Sequence, residues 1–174
     1  MAFNNIKIIG TIVFCLLFFT IKSYSQGKFA GEFNKSLGLV FITEEDIPQL
    51  KSFTYQGGSI ISDLEIIDSY YLSLDVYRKG STAVVVMSKL IDKVTREHRI
   101  IEILKIMDVP KNYEIRISGC TSININSDDK IVAVYYIGNK KNVKLIKEAY
   151  VLKDIRFEKI NSKTITCINE IEID

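Results

Sequence analysis

The hydrophobic residues of this chain follow the patterns of β-strands. Between residues 70 and 78 the even-numbered apolar side chains alternate with more polar ones, and a period of two is typical of a strand with one buried face. Two other stretches, 83–87 and 131–137, are apolar at every position. A strand without a polar face is covered on both sides. These patterns predict sheets in which two strands lie deep inside the fold.

Turn residues separate the predicted strands. Lys79 and Gly80 lie between the alternating strand and the first apolar one, and they predict that the two strands form a hairpin. Ile60 begins a second alternating stretch with Leu64 and Ile66, which predicts that these side chains face the core. Residues 113–118 alternate in the same way and lead to Cys120.

Two segments are compatible with both a helix and a strand. Residues 99–109 place their central polar side chains on one helical face ahead of Pro110, but they are rich in isoleucine and continue the hairpin rhythm, which favours a strand. Residues 143–153 begin with helical spacing and end with a strand pattern, which predicts a short helix running into a strand. Residues 43–46 resemble a capping box, and Pro48 limits a helix there to a turn or two. The predicted fold class is mainly β, with α+β as the alternative: an antiparallel sheet or partly closed barrel with one or two short helices.

Residues 1–25 have the composition of a secretory signal peptide. Residues 8–21 carry no charge and are flanked by Lys7 and Lys22, whereas a membrane-spanning helix needs about 20 apolar residues. Small residues at Ser23 and Ser25 fit a cleavage site before Gln26. We therefore predict an exported protein, periplasmic or extracellular, with no transmembrane segment in the mature chain. The alternative is that the segment is kept as an anchor.

Removal of residues 1–25 leaves a chain without net charge. That segment has two lysines and no acidic residue, so 21 basic and 21 acidic residues remain. A nucleic-acid-binding surface needs a basic surplus on one face, so no nucleic-acid partner is predicted. The remaining residues, 26–174, suit a single strand-rich globular domain.

Two cysteines remain after the predicted cleavage, Cys120 and Cys167. An even pair in an oxidising compartment predicts a disulfide bond, and the alternative is two buried thiols. No spacing of cysteine and histidine suggests a metal site, because His98 is the sole histidine. No metal or cofactor is therefore predicted.

Catalytic motifs are weak in this sequence. A serine or cysteine nucleophile would need His98 as its base, yet charged neighbours place that residue in a predicted solvated turn. Asn124, Asn126 and Asp128 imitate the start of a calcium loop, but the glycine and the final glutamate of such a loop do not follow. No catalytic residue is assigned.

Several loose patterns occur together towards the C-terminus. They are the Ile115-x-Ile117-x-x-Cys120 strand, the apolar strand at 131–136 and the closing stretch from Ala149 to Glu170, which contains Cys167. With an export signal that ends at Ser25 and Gln26, this arrangement resembles uncharacterised small exported proteins of Bacteroidota. The resemblance implies export and paired cysteines, and it implies no activity.

We interpret the mature chain as a non-enzymatic binding module for a protein or a cell-envelope component, because sheets bind through faces and edges without special motifs. The candidate binding strip is Tyr71 and Tyr77, which share the outward face of the strand at 70–78. Tyrosine is enriched where proteins meet their partners. The alternative is that a second layer, such as residues 99–109, covers this face. Two other functions remain open: a small-ligand carrier with an apolar barrel cavity, and a hydrolase that uses dispersed carboxylates.

Overall fold

The structure, a computed structural model, describes residues 33–61, 71–123, 125, 130–138, 142–143 and 145–168. The chain divides into two compact units, 1–36 and 37–174. The described part of the first unit is one turn, in which the Ser36 amide donates to the Phe33 carbonyl oxygen at 2.9 Å. The predicted signal peptide lies outside the described residues. So do Tyr70, Leu64, Ile66 and the calcium-like Asn124, Asn126 and Asp128.

The first sheet of the second unit has five strands. They are β1 (Val40–Phe41), β2 (Thr54–Ile61), β3 (Leu72–Lys79), β4 (Thr82–Asp92) and β5 (Glu97–Ile106). Their spatial order is β1-β5-β4-β3-β2, and every neighbouring pair is antiparallel. The strand interpretation of residues 99–109 is therefore confirmed for most of that segment. Its isoleucines pair along β4, so the sheet ladder satisfies their backbone groups.

The predicted hairpin is confirmed at Gly80. Lys79 pairs with Thr82 across a two-residue turn, and Gly80 has a φ of 59°, a conformation that glycine adopts without steric cost. The expectation for Ile60 was wrong: its side chain is 66% exposed, whereas Ile61 is buried. Because residues 60 and 61 are both isoleucine, either one could face the core. The pairing of Ile61 with Leu72 places Ile61 on the buried face.

Two smaller sheets follow. The second sheet contains β6 (Tyr113–Arg116), β8 (Ile131–Tyr136), β10 (Ile146–Lys153) and β11 (Arg156–Ile160), in the order β11-β10-β8-β6. The third contains β7 (Cys120–Ser122), β9 (Asn142–Val143) and β12 (Ile165–Ile168), in the order β7-β12-β9. All their pairs are antiparallel.

The helix predicted at the start of residues 143–153 was wrong. β9 and β10 occupy this region, and β10 pairs with β8 on one side and with β11 on the other. The backbone hydrogen bonds of two strand pairings stabilise β10 more than its weak helical spacing would stabilise a helix, because local helix propensity contributes little free energy. Apart from residues 33–34, which are α-helical, the helices of the described residues are single 3-10 turns, at Glu44–Asp46, Pro48–Leu50 and Ser162–Thr164.

The three sheets form layers, with the second sheet in the middle. One core lies between the first and second sheets and includes Leu74, Val85 and Val134. A second core lies between the second and third sheets and includes Ala133 and Cys167. Successive residues of β8 therefore point into different cores, which explains why this strand is apolar at every position. In the described part of the chain the sheets are open, and none closes into a barrel.

Among the described residues, no helix has both the length and the hydrophobicity needed to cross a bilayer.

Candidate binding face on the first sheet

The outward side of β3 has the residues that the alternation predicts. Leu72, Leu74 and Val76 are buried in the core against the second sheet, so Ser73 and Asp75 and the flanking tyrosines belong to the opposite face. Tyr71 precedes the strand, and its carbonyl oxygen still accepts from the Leu90 amide at 3.0 Å. The predicted face is therefore present, and we call this side of the first sheet the outer face.

The two tyrosines of the candidate binding strip differ in their exposure to solvent. Tyr71 is 52% exposed, whereas Tyr77 is only 6% exposed. Tyr77 lies beside Tyr55 of β2, with the ring centroids 5.5 Å apart, and burial strongly raises the pKa of Tyr77. The expectation that Tyr77 faces solvent is thus corrected. The neighbouring Tyr55, which is 49% exposed, is the tyrosine that faces solvent beside Tyr77.

The layer over Tyr77 is the connection between β1 and β2, residues 42–53. These two strands lie at opposite edges of the sheet, so the connection must cross one of its faces. Ile47 and Leu50 of the connection are buried, and Ser52 accepts a hydrogen bond from the Lys79 ammonium group at 2.9 Å. The outer-face residues Val84, Val86 and Ile100 are also buried. Residues 99–109 do not cover the face, since most of them form β5 within the sheet.

A chain of hydrogen bonds links three strands on the outer face. The Ser73 hydroxyl donates to Asp75 Oδ2 at 3.1 Å and lies 2.8 Å from the Ser88 hydroxyl. Ser88 is in turn 3.3 Å from Nδ1 of His98. His98 therefore lies in β5 and not in a solvated turn, and its ring packs against Phe41 with centroids 5.6 Å apart.

This chain lacks the geometry of a catalytic triad. In a triad the carboxylate contacts the imidazole and the nucleophilic hydroxyl is open to substrate. Here two serine hydroxyls separate Asp75 from His98, and Ser88 is fully buried. The arrangement satisfies buried polar groups and joins β3, β4 and β5.

Asp75 lies on β3, the strand next to the edge strand β2. It is partly buried, and this burial raises its pKa although the Ser73 hydroxyl, His98 and the Tyr55 hydroxyl oppose the shift. The Tyr55 hydroxyl donates a long hydrogen bond of 3.5 Å to Oδ1. Directly opposite Asp75 on the edge strand is Gly58. Because glycine has no side chain, the Asp75 carboxylate occupies the place where a Cβ of residue 58 would lie.

The predicted disulfide bond is present. Cys120 and Cys167 are directly opposite each other on β7 and β12, and their Cα atoms are 4.0 Å apart. Cys167 is fully buried in the core between the second and third sheets. The bond therefore crosslinks the third sheet.

Sequence reasoning did not identify β2 as part of the candidate site. Tyr55 and Gly58 precede the alternating stretch, and Ile60 was assigned to the core. The signal that marks the strand is the Gly57–Gly58 pair, which accompanies a bulge between Tyr55 and Gly57. Within the described residues, no three histidine, cysteine, aspartate or glutamate side chains are grouped to hold a metal ion.

A small cavity lies where β2 and β3 approach β6. It has a volume of about 140 Å³ and is lined by Gln56, Val76, Arg78, Glu114 and Ile115. The Arg78 guanidinium donates to the carbonyl oxygens of Tyr113 at 2.6 Å and of Pro110 at 2.9 Å. Its charged group is thus engaged in joining the first and second sheets.

Comparison of the chain with protein families, with curated proteins and with solved structures finds no match.

Proposed function

We propose that this chain is an exported, non-enzymatic module that binds another protein through the free edge of its first sheet and the exposed part of the outer face beside that edge. The observation that carries the proposal is the exposure of large apolar side chains at this edge. Tyr55, Ile60 and Tyr71 are each about half exposed or more. Ile60 pairs with Ser73, two residues from Tyr71, so the isoleucine and the tyrosine are neighbours on one face.

The edge itself supports binding. β2 is eight residues long and pairs with β3 on one side. No other described strand pairs with its second side. Every second residue of such an edge directs an unpaired N–H and C=O outward, and these groups can pair with an added strand. The opposite edge strand, β1, has only two residues, so β2 offers the longer ladder.

The two apolar strands give less support to a ligand carrier. That alternative requires β4 and β8 to line a cavity. Val85 of β4 instead packs between the first and second sheets, and β8 contributes side chains to both cores. The alternative of a hydrolase requires acids that converge in an open cleft, and Asp75 is joined to buried serines instead. A binding surface fits the observed geometry better than either.

Export of the protein is supported by the disulfide bond, because such bonds persist in oxidising compartments. We predict cleavage after Ser25. Mass spectrometry of the N-terminal peptide, from protein isolated from the envelope or the medium, is expected to find Gln26 as the first residue. An N-terminal peptide that begins at Met1 would contradict this prediction.

Replacing Ile60 and Tyr71 together with serine is expected to abolish recovery of the partner. Truncation of well-buried anchor residues costs an interface roughly 2 kcal/mol or more, which is about 30-fold in affinity. The measurement is a pull-down from cell-envelope extracts with the purified protein as bait. We use Ile60 instead of Tyr55, because Tyr55 also contacts Asp75 and Tyr77.

The matched control replaces Leu145 and Ile168 with serine. These residues are 62% and 46% exposed and lie outside the first sheet. The control variant should recover the partner at the wild-type level, and both variants should unfold near the wild-type temperature. Equal recovery by the Ile60/Tyr71 variant and the wild type would exclude this face as the binding site.

A further inference from the structure

We propose that the partner contributes an extended segment that adds to the free edge of β2 and places an arginine or lysine side chain over Gly58, against the carboxylate of Asp75. This inference rests on the proposed binding function and specifies the chemistry of the partner. It follows from the position of Gly58 on the edge strand, where the missing side chain leaves room beside the partly buried Asp75.

The opening at Gly58 connects Asp75 with the edge. Gly58 is exposed and directly opposite Asp75. The Asp75 Oδ1 atom lies where a Cβ would project from residue 58, and the Tyr55 hydroxyl lies 2.9 Å from the same point. A Cβ at position 58 would clash with the carboxylate oxygen, so a side chain there would displace the carboxylate. Because residue 58 is glycine, the Asp75 carboxylate and the Tyr55 hydroxyl lie directly above the backbone of the edge strand β2.

The distances suit a long basic side chain. A residue of the added strand opposite Gly58 would direct its side chain to the same face as Asp75. Neighbouring strands are about 4.8 Å apart, so its Cα atom would lie roughly 10 Å from that of Asp75. An arginine or lysine side chain and the aspartate together cover this span. A short side chain would leave a gap over Gly58, and an acidic one would be repelled.

Two acids, Asp75 and Glu44, act on this part of the face, and His98 is the basic group whose charge lowers the pKa of Asp75. Asp75 accepts from the hydroxyls of Ser73 and Tyr55, but no described lysine or arginine forms an ion pair with it. The charge of Glu44, on the connection that crosses the face, acts on Asp75, Tyr55 and Tyr77. A cation held at Asp75 would therefore offset the unfavourable burial of this carboxylate.

The bulge limits where the partner can pair. The register of β2 shifts between Tyr55 and Gly57, and Gly57 has a φ of 134°. Bulges interrupt a ladder and bend the strand. An added strand can therefore pair regularly with residues Gly58 to Ile61. The basic residue of the partner would lie opposite Gly58, at one end of this short ladder, and its apolar residues would lie against Ile60.

The experiment uses fluorescently labelled heptapeptides of alternating valine and threonine with one central arginine. A second peptide carries citrulline, which keeps the shape of arginine without its charge. A third keeps the arginine but has N-methyl groups at alternate residues, which remove the hydrogen-bond donors of an added strand. Binding to wild type, Asp75→Asn and Glu158→Gln is measured by fluorescence anisotropy. Glu158 is an exposed acid on β11 and controls for the loss of one negative charge.

We expect the arginine peptide to bind wild type at least about tenfold more tightly than the citrulline peptide. The ratio should fall to near one for Asp75→Asn and stay unchanged for Glu158→Gln. N-methylation should abolish binding. Equal binding of the arginine and citrulline peptides to wild type, equal binding of the N-methylated peptide, or no binding of the arginine peptide would each overturn the inference. Thermal unfolding of Asp75→Asn checks that the variant is folded.

The pull-down separates this inference from the proposed function. Recovery of a partner that depends on Ile60 and Tyr71 but is unchanged by Asp75→Asn would keep the binding face and reject the basic segment. Recovery that is lost with Asp75→Asn and retained with Glu158→Gln would support both.

Discussion

Replacing Cys120 and Cys167 together with alanine is expected to lower the free energy of unfolding by about 4 kcal/mol. The disulfide closes a loop with a sequence separation of 47 residues, and the chain-entropy model assigns a loop of this length about 4 kcal/mol. The loop contains β8, β10 and β11, three of the four strands of the middle sheet. Without the crosslink, the unfolded chain gains freedom in the part that forms both cores.

Thermal unfolding followed by circular dichroism measures this effect. A loss of 4 kcal/mol corresponds to a fall in Tm of about 10 °C or more for a chain of this size. Wild type treated with a thiol reductant should unfold near the temperature of the double variant. The control replaces Thr121 and Thr166, the neighbouring cross-strand pair, with alanine and should stay within about 0.5 kcal/mol of wild type. A double cysteine variant as stable as this control would show that the disulfide contributes little.

Replacing Leu74 with alanine is expected to cost about 2–5 kcal/mol. Leu74 is fully buried in the core between the first and second sheets. Its truncation loses the transfer free energy of the removed atoms and leaves a cavity in a tightly packed region. The change is read as a shift of the denaturant midpoint at constant slope in urea unfolding.

Two variants on the same sheet calibrate this result. Ile60→Ala removes a large side chain that is 66% exposed, so we expect a change within about 0.5 kcal/mol. Val85→Ala truncates a smaller side chain in the same core and should cost less than Leu74→Ala, because fewer buried atoms are lost. A Leu74→Ala variant with wild-type stability would contradict the assignment of the inward face of β3.

Much of the fold could be predicted from the sequence, because the relevant signals are local. Strand β3 and its inward face follow from alternation, and the hairpin to β4 follows from Lys79 and Gly80. The continuous apolar stretch of β8 indicated a strand covered on both sides, and the layered cores confirm it. The parity of the cysteines that remain after the predicted signal peptide is removed predicted the bond between Cys120 and Cys167. In each case the information lies in neighbouring residues or in a simple count.

The candidate site was only half predictable. The outer face of β3 and its exposed Tyr71 follow from the period of two, but the burial of Tyr77 depends on a connection that begins more than thirty residues earlier in the chain. The position of His98 in β5 depends on pairing with β4 and β1. Neither relation is visible in the residues next to Tyr77 or His98.

The sequence by itself determined the extended segments β3, β4 and β8, the apolar face of β3 and the pairing of the two cysteines, since backbone periodicity, turn residues and cysteine parity decide these. Only the tertiary structure decided that Ile61 and not Ile60 is buried, and that strands instead of a helix precede Ala149. It also decided that Gly58 lies directly opposite Asp75 on the edge strand. These depend on the strand order and register, which arise from hydrogen bonds and packing between residues far apart in the chain.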